Sequence, residues 1–184
     1  MVLFGVKRLQ RQTLYGWVAL TLFMLTVPVS NWGIVNVGVV CEPNGPCLIP
    51  VTPGLMAPSS VVVAGMALVL RNAVQAFIGA SFSLVAVAIG TLLSALFAEP
   101  ALVIASATAF CFSELADFAV YTPMRKRFPA FSVVMAGLVG SFVDSAIFLS
   151  LAFGSIDFIV GQVLGKFWMS LLAASLFDFS DPIG

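Results

Sequence analysis

The chain contains no histidine. That absence removes Ser-His-Asp and Cys-His catalysis, the usual zinc sites and His-ligated haem. Intramembrane proteases built on such groups are therefore poor candidates. Charge is almost as scarce. Asp, Glu, Lys and Arg make up 9% of 184 residues, eight of each sign, for a formal net charge of zero. Nothing in that balance points to nucleic acid. No G-x-x-x-x-G-K-[ST] segment occurs, so ATP hydrolysis through a P-loop is not expected. No cofactor is expected either.

What is present in abundance is apolar. Hydrophobic residues make up 61% of the chain, and the mean hydropathy is +1.13. A soluble domain of this size could not hide that much apolar surface. About 20 apolar residues cross a bilayer. On that scale the chain reads as an all-α integral membrane protein, one transmembrane domain over residues 1–184. Six spans are expected, at about 14–31, 58–78, 81–97, 101–121, 130–153 and 158–177. The start does not read as a cleavable signal, because the basic residues Lys7, Arg8 and Arg11 precede a span longer than a signal core, with no A-x-A-like site after it.

Basic residues orient the spans. Those outside them are Lys7, Arg8 and Arg11 before span one, and Arg125, Lys126 and Arg127 after span four. With six spans both groups fall on one side, while the opposite loops carry Glu42, Glu99 and Asp157. The positive-inside rule then puts both termini in the cytoplasm, and the loop over residues 33–57 outside. That loop holds Cys41 and Cys47 around the turn sequence Glu42-Pro43-Asn44-Gly45-Pro46. The two cysteines can close a small disulfide in an oxidising compartment; the alternative is two free thiols in a flexible loop. Cys111 falls within span four and reads as packing.

Five ionisable residues interrupt the spans: Arg71, Glu114, Asp117, Asp144 and Lys166. A charge at mid-bilayer costs about 2.5–3.5 kcal/mol on the insertion scale, so such groups face partners or a polar cavity. Two cations and three anions on four spans suggest one shared polar centre. Arg71 and Gln75, with Asn72 between them, share a face of span two. Glu114 and Asp117 stand at i, i+3 on span four, with Phe110 and Tyr121 on the same stripe. Asp144 follows Gly137, Gly140 and Ser141 on span five. Gln162 and Lys166 stand at i, i+4 on span six, beside Gly161 and Gly165. A purely structural reading is also open. Gly161-x-x-x-Gly165 can join helices or protomers, and the charges can pair simply to neutralise one another. Three acids against two bases leave one carboxylate to be protonated, hydrated or used by a ligand. There is also a faint internal symmetry: Ser60-Val-Val-Val-Ala-Gly65 resembles Ser132-Val-Val-Met-Ala-Gly137, a register that aligns Asn72 with Asp144. Spans two and five would run in opposite directions, as in the inverted repeats of transporters.

At these residues the chain resembles the vitamin uptake transporter family, and within it the queuosine precursor transporters. The matching pieces are Asn31-Trp32, Leu70-Arg71-Asn72-Ala-Val-Gln75 and Ser113-Glu114-Leu-Ala-Asp117 with Tyr121. They continue as Gly140-Ser141-Phe-Val-Asp144-Ser145-Ala-Ile-Phe148 and Gly161-Gln162 with Lys166. The family usually carries Arg-Asp where this chain has Arg71-Asn72, one negative charge fewer. The resemblance implies uptake of 7-cyano- or 7-aminomethyl-7-deazaguanine for tRNA modification, across the bacterial plasma (inner) membrane. It also implies a six-helix fold similar to the substrate-binding subunits of energy-coupling-factor transporters. Those subunits dock on an ATPase module through small residues at A-x-x-x-A spacing in the first span. Span one here has Ala19 alone, so no ATPase module is expected, and a homodimer is the expected assembly. For a guanine-like edge with adjacent N–H donors, a carboxylate is the natural bidentate acceptor. Glu114 and Asp144 are the candidates for that role, within a constellation that includes Asn72 and Asp117. Arg71, Gln75, Gln162 and Lys166 would serve the carbonyl, the ring acceptors or the cyano group. Trp32, Phe110, Phe148 or Trp168 would offer an aromatic face. The competing readings are a structural subunit of a membrane complex, with charges paired between helices or protomers, and a membrane enzyme.

Overall fold

The computed structural model describes residues 2–176 apart from 42 and 44, and the side chains of 12–175 within that range. Lys7, Arg8, Arg11, Glu42 and the end of the sixth expected span lie outside the residues or side chains described. Six helices form the body: α1 (Val2–Asn36), α2 (Val61–Ile78), α3 (Ala80–Phe97), α4 (Val103–Met124), α5 (Pro129–Phe153) and α6 (Ile159–Leu176). Three short strands, β1 (Val40–Cys41), β2 (Cys47–Thr52) and β3 (Leu55–Pro58), lie between α1 and α2. Five helices are long and apolar enough to cross a membrane, and the described part of α6, Ile159–Ser175, is a shorter apolar helix. The chain is thus an all-α membrane protein of about six helices.

The distribution of side chains is inverted relative to a soluble protein. Leu92, Leu96 and Ile104 are 66, 77 and 75% exposed, whereas Arg71, Asn72, Gln75 and Asp117 are 0% exposed. Water as the outer solvent would penalise both facts, and a hydrocarbon solvent penalises neither. Apolar patches therefore cover the outside because lipid covers them.

The helix boundaries have local causes. Gly79 alone separates α2 from α3. It adopts φ 102°, a conformation that a side chain disfavours, and its N–H bonds to the Gln75 carbonyl at 3.2 Å. Pro129 opens α5 at a position where its missing N–H costs nothing. Gly154, left-handed at φ 66°, closes it. Each of α2 and α3 has 18 residues, about 27 Å of helix, close to the hydrocarbon thickness. α1 is much longer. Its 35 residues span about 52 Å, so it extends past any bilayer core.

Two expectations are corrected at the end of α1. The first span was expected to finish at Asn31, but the helix runs on to Asn36, whose side chain donates to the Trp32 carbonyl at 2.8 Å. The following segment, expected as a loop, holds an antiparallel sheet in the order β1-β2-β3. Leu48 pairs with Val40 on one side and Pro58 on the other. Cys41 and Cys47 are directly opposite in register and are joined as a disulfide. Ser59 ties the sheet back to the bundle, its N–H on the Cys47 carbonyl at 2.8 Å and its hydroxyl on the Gly33 carbonyl at 2.9 Å.

α6 is seated by small residues on its neighbours. A Cβ on Gly65 of α2 would come within 2.8 Å of the Lys166 backbone, and one on Gly137 of α5 would collide with Ser170. The two glycines of the similar segments therefore both receive α6, one turn apart. Gly161 and Gly165 pack against Met56 of β3 and Val61 of α2. Within this chain the G-x-x-x-G face of α6 is thus covered by the hairpin and the start of α2.

Candidate functional site

The helix ends define two poles. The described residues of 37–60 lie with 98–102 and 154–158 at the hairpin pole, and Gly79 lies with residues 125–128 at the basic pole. Between them the buried charges form two groups rather than the single centre expected.

The group nearer the basic pole is built on Arg71. Its Nε donates to Glu114 Oε2 at 3.2 Å, its Nη1 to Gln75 Oε1 at 2.9 Å, and its Nη2 to Asn72 Oδ1 at 2.6 Å. The same Nη2 forms a close ion pair with Asp117 Oδ1. The guanidinium lies 5.6 and 5.8 Å from the ring centroids of Phe118 and Tyr121, within cation–π range. Two amides relay the network outward. Asn72 Nδ2 lies 3.5 Å from Asp117 Oδ2, and Gln75 Nε2 donates to Thr122 Oγ1 at 2.9 Å. Arg125 adds a bond to the Gln75 carbonyl at 3.2 Å. An amide at position 72 both accepts from the cation and faces the carboxylate as a donor, which an aspartate could not do.

The second group is built on Lys166. Its ammonium meets Asp144 Oδ2 at 2.5 Å, Ser145 Oγ at 2.9 Å and Gln162 Oε1 at 2.5 Å. That uses all three of its donors. Ser113 Oγ lies 3.5 Å from Asp144 Oδ1, so α4 touches both groups through adjacent residues, Ser113 and Glu114.

A cavity lies against both groups, and all six helices contribute to its wall. Its volume is about 70 Å³; a single water needs roughly 10–15 Å³, so several waters or a small planar molecule fit. Its charged residues are Glu114, Asp144 and Lys166, joined by Gln162. Phe110 and Phe148 supply aromatic surface, and hydroxyls from Ser30, Ser60, Ser94 and Ser106 complete the wall. Apart from Ser60, which precedes α2, and Glu114, at the midpoint of α4, every lining position belongs to the half of its helix nearer the hairpin. The other half of the bundle is filled by the Arg71 network and by an apolar cluster that includes Tyr121, Val133 and Ala136.

The expected site residues therefore separate. Glu114, Asp144, Gln162, Lys166 and Phe110 line the cavity, while Arg71, Asn72, Gln75 and Asp117 stand behind it. Trp32 is 60% exposed and Trp168 53% exposed, both on the outer surface and off the cavity wall. Of α1 only Trp32 was expected at the site, and the stripe that does face the cavity was missed. Thr26, Val27, Ser30, Asn31 and Ile34 form one helical stripe facing the cavity. Their 3.6-residue spacing was the available signal.

Glu114 is the carboxylate that stands both on the cavity wall and in the Arg71 network. It is 1% exposed and shares Arg71 with Asp117, taking one bond at Oε2. Among the described residues no donor reaches its Oε1.

Fold and cavity together define a multi-pass membrane protein with a polar chamber lined by all six helices. The family model for vitamin uptake transporters matches residues 54–179, more than two thirds of the chain, and the chain belongs to that family. The match takes in both charge groups and leaves out α1 and the Cys41–Cys47 pair. No curated protein and no solved structure matches the chain.

Proposed function

We propose that the chain imports a 7-deazaguanine precursor of queuosine, bound in the cavity against Glu114. The observation that carries the reading is the unpartnered oxygen of that buried carboxylate, on a wall that also offers two phenyl groups. A purine-like ring presents adjacent N–H donors on one edge and a flat apolar face. A carboxylate and an aromatic wall answer those two features. Gln162 and the Asp144–Lys166 pair stand ready for the carbonyl and ring acceptors. With the basic pole in the cytoplasm, the cavity occupies the external half of the bundle, and the Arg71 network closes the internal half. Substrate would enter from the hairpin side and leave after that network opens.

Transport without an ATPase module fits the outer surface of α1. Ala19 is buried at 6%, and among the described residues the lipid face shows Trp17, Val18, Leu22, Leu25 and Val29, a bulky surface. The alternative of a structural subunit has less support, since both span cations find their carboxylates inside one chain. A membrane enzyme has less support, since the chain has no histidine to serve as a catalytic base.

The test is direct binding of 7-cyano-7-deazaguanine to purified protein, wild type beside Asp144→Asn, with guanine as competitor. Saturable binding that weakens in a monodisperse, thermally stable mutant supports the reading. Well-folded wild type that binds neither this compound nor its aminomethyl counterpart sinks it.

A further inference from the structure

The charges around the cavity do not cancel. Its wall carries Glu114 and Asp144 against Lys166, and immediately behind it Arg71 faces Asp117 as well as Glu114. The wall itself therefore carries one carboxylate in excess. Asp144 pairs with Lys166 at 2.5 Å, so the wall's unmatched carboxylate is Glu114, whose cation, Arg71, stands behind the wall at 3.2 Å and is shared with Asp117. A net charge in a medium of low dielectric is strongly felt by anything bound beside it. An uncharged ligand would leave it in place. A ligand bearing an ammonium group would cancel it and form charge-assisted hydrogen bonds, roughly twice as strong as neutral ones.

We propose that Glu114 selects ligands by charge: the site takes a planar base carrying one protonated amine in preference to the same base without it. The proposal rests on the deazaguanine reading and adds the discriminating group. Of the two precursors, the aminomethyl compound is a primary amine, protonated at neutral pH like a lysine, and the cyano compound is uncharged. Cations are favoured by the wall as a whole, so the preference has two handles. Glu114→Gln removes the unbalanced charge at the point of contact. Asp117→Asn removes one negative charge behind the wall, at a side chain that does not line the cavity, and frees Arg71 to balance Glu114 fully.

The experiment measures dissociation constants of both compounds for wild type, Glu114→Gln and Asp117→Asn, each checked for monodispersity and melting temperature. The expected result is aminomethyl binding at least about tenfold tighter in wild type, a gap of one decade in Kd. The ratio then falls towards one in Glu114→Gln and several-fold in Asp117→Asn. Should either variant fail to fold, the wild-type ratio and the other variant still decide. Equal affinities in wild type, or a preference untouched in both variants, would overturn charge selection and leave deazaguanine binding standing. Binding of neither compound to folded wild type would remove both.

Discussion

Replacing Arg71 with methionine keeps much of the side-chain volume and removes the cation that Glu114 and Asp117 both contact. All three groups are at most 1% exposed, so the two carboxylates would be left buried together with amides as their remaining neighbours. Removing one partner of a buried ion pair costs about 3–5 kcal/mol. Arg71 also serves Asn72 and Gln75, which places the expected loss at the upper end. On the scaling for chains of this size, 1 kcal/mol moves a melting temperature by about 2–4 °C, so a drop on the order of 10–20 °C is expected. The assay is thermal unfolding in a fixed detergent, followed by tryptophan fluorescence. The decisive comparison adds Glu114→Gln and Asp117→Asn to Arg71→Met. Replacing a whole buried ionic cluster by neutral groups is often close to neutral for stability, so the triple variant should recover most of the loss. Near-additive losses across the three substitutions would refute the reasoning, as would a single-variant shift under about 2 °C, because interacting groups must couple.

Three further outcomes follow from the same geometry. Opening the Cys41–Cys47 link with paired serine substitutions should cost about 2 kcal/mol by the loop-entropy relation for so short a loop, read as a lower melting temperature. Binding of the proposed deazaguanine ligand should survive, since neither cysteine lines the cavity; abolished binding would contradict this. Gly65→Val places side-chain atoms against the Lys166 backbone, and overpacking of this kind costs about 1–3 kcal/mol; a melting temperature equal to wild type would mean that α2 and α6 are not so closely seated. With Cys111 replaced by serine, a membrane-impermeant maleimide applied to intact cells should label Ser155→Cys and spare Arg127→Cys, and the reverse pattern would invert the assigned topology.

Much of the architecture was legible because its signals are strong. Long apolar runs, the clustering of Arg125, Lys126 and Arg127, and five charges in hydrocarbon segments each have one simple physical explanation. The sheet was not anticipated, although Leu48 to Ala57 carries Pro53-Gly54 between two apolar stretches, a hairpin pattern. In so apolar a chain that short alternation is drowned by neighbouring helices. Pair identity was also beyond the sequence. Spacing put Glu114 and Asp117 on one stripe, but which cation each would meet depends on helix order around the bundle. The α1 stripe went unread for a different reason: serine and threonine are common within spans, where their hydroxyls bond to the preceding turn, as Thr26 does to the Phe23 carbonyl.

The position of Glu114 gives the proposed transport cycle a physical link between binding and opening. The same carboxylate stands on the cavity wall and holds Arg71 at 3.2 Å. A ligand that draws Glu114 towards the cavity competes with Arg71 for it, and a guanidinium left with Asp117 alone seals the internal half less firmly. The seal extends from Arg71 through Gln75 to Thr122 at 2.9 Å, towards the basic pole. Ligand binding should therefore raise the exposure of position 122 on the cytoplasmic side. A Thr122→Cys variant, with Cys111 replaced by serine, reports this in inside-out vesicles as a faster rate of maleimide labelling when ligand is added. The effect should vanish in Glu114→Gln, because no carboxylate then remains to be shared. A ligand that binds tightly yet leaves the labelling rate unchanged would show that the seal opens by a route independent of Glu114, with the two charge groups acting separately.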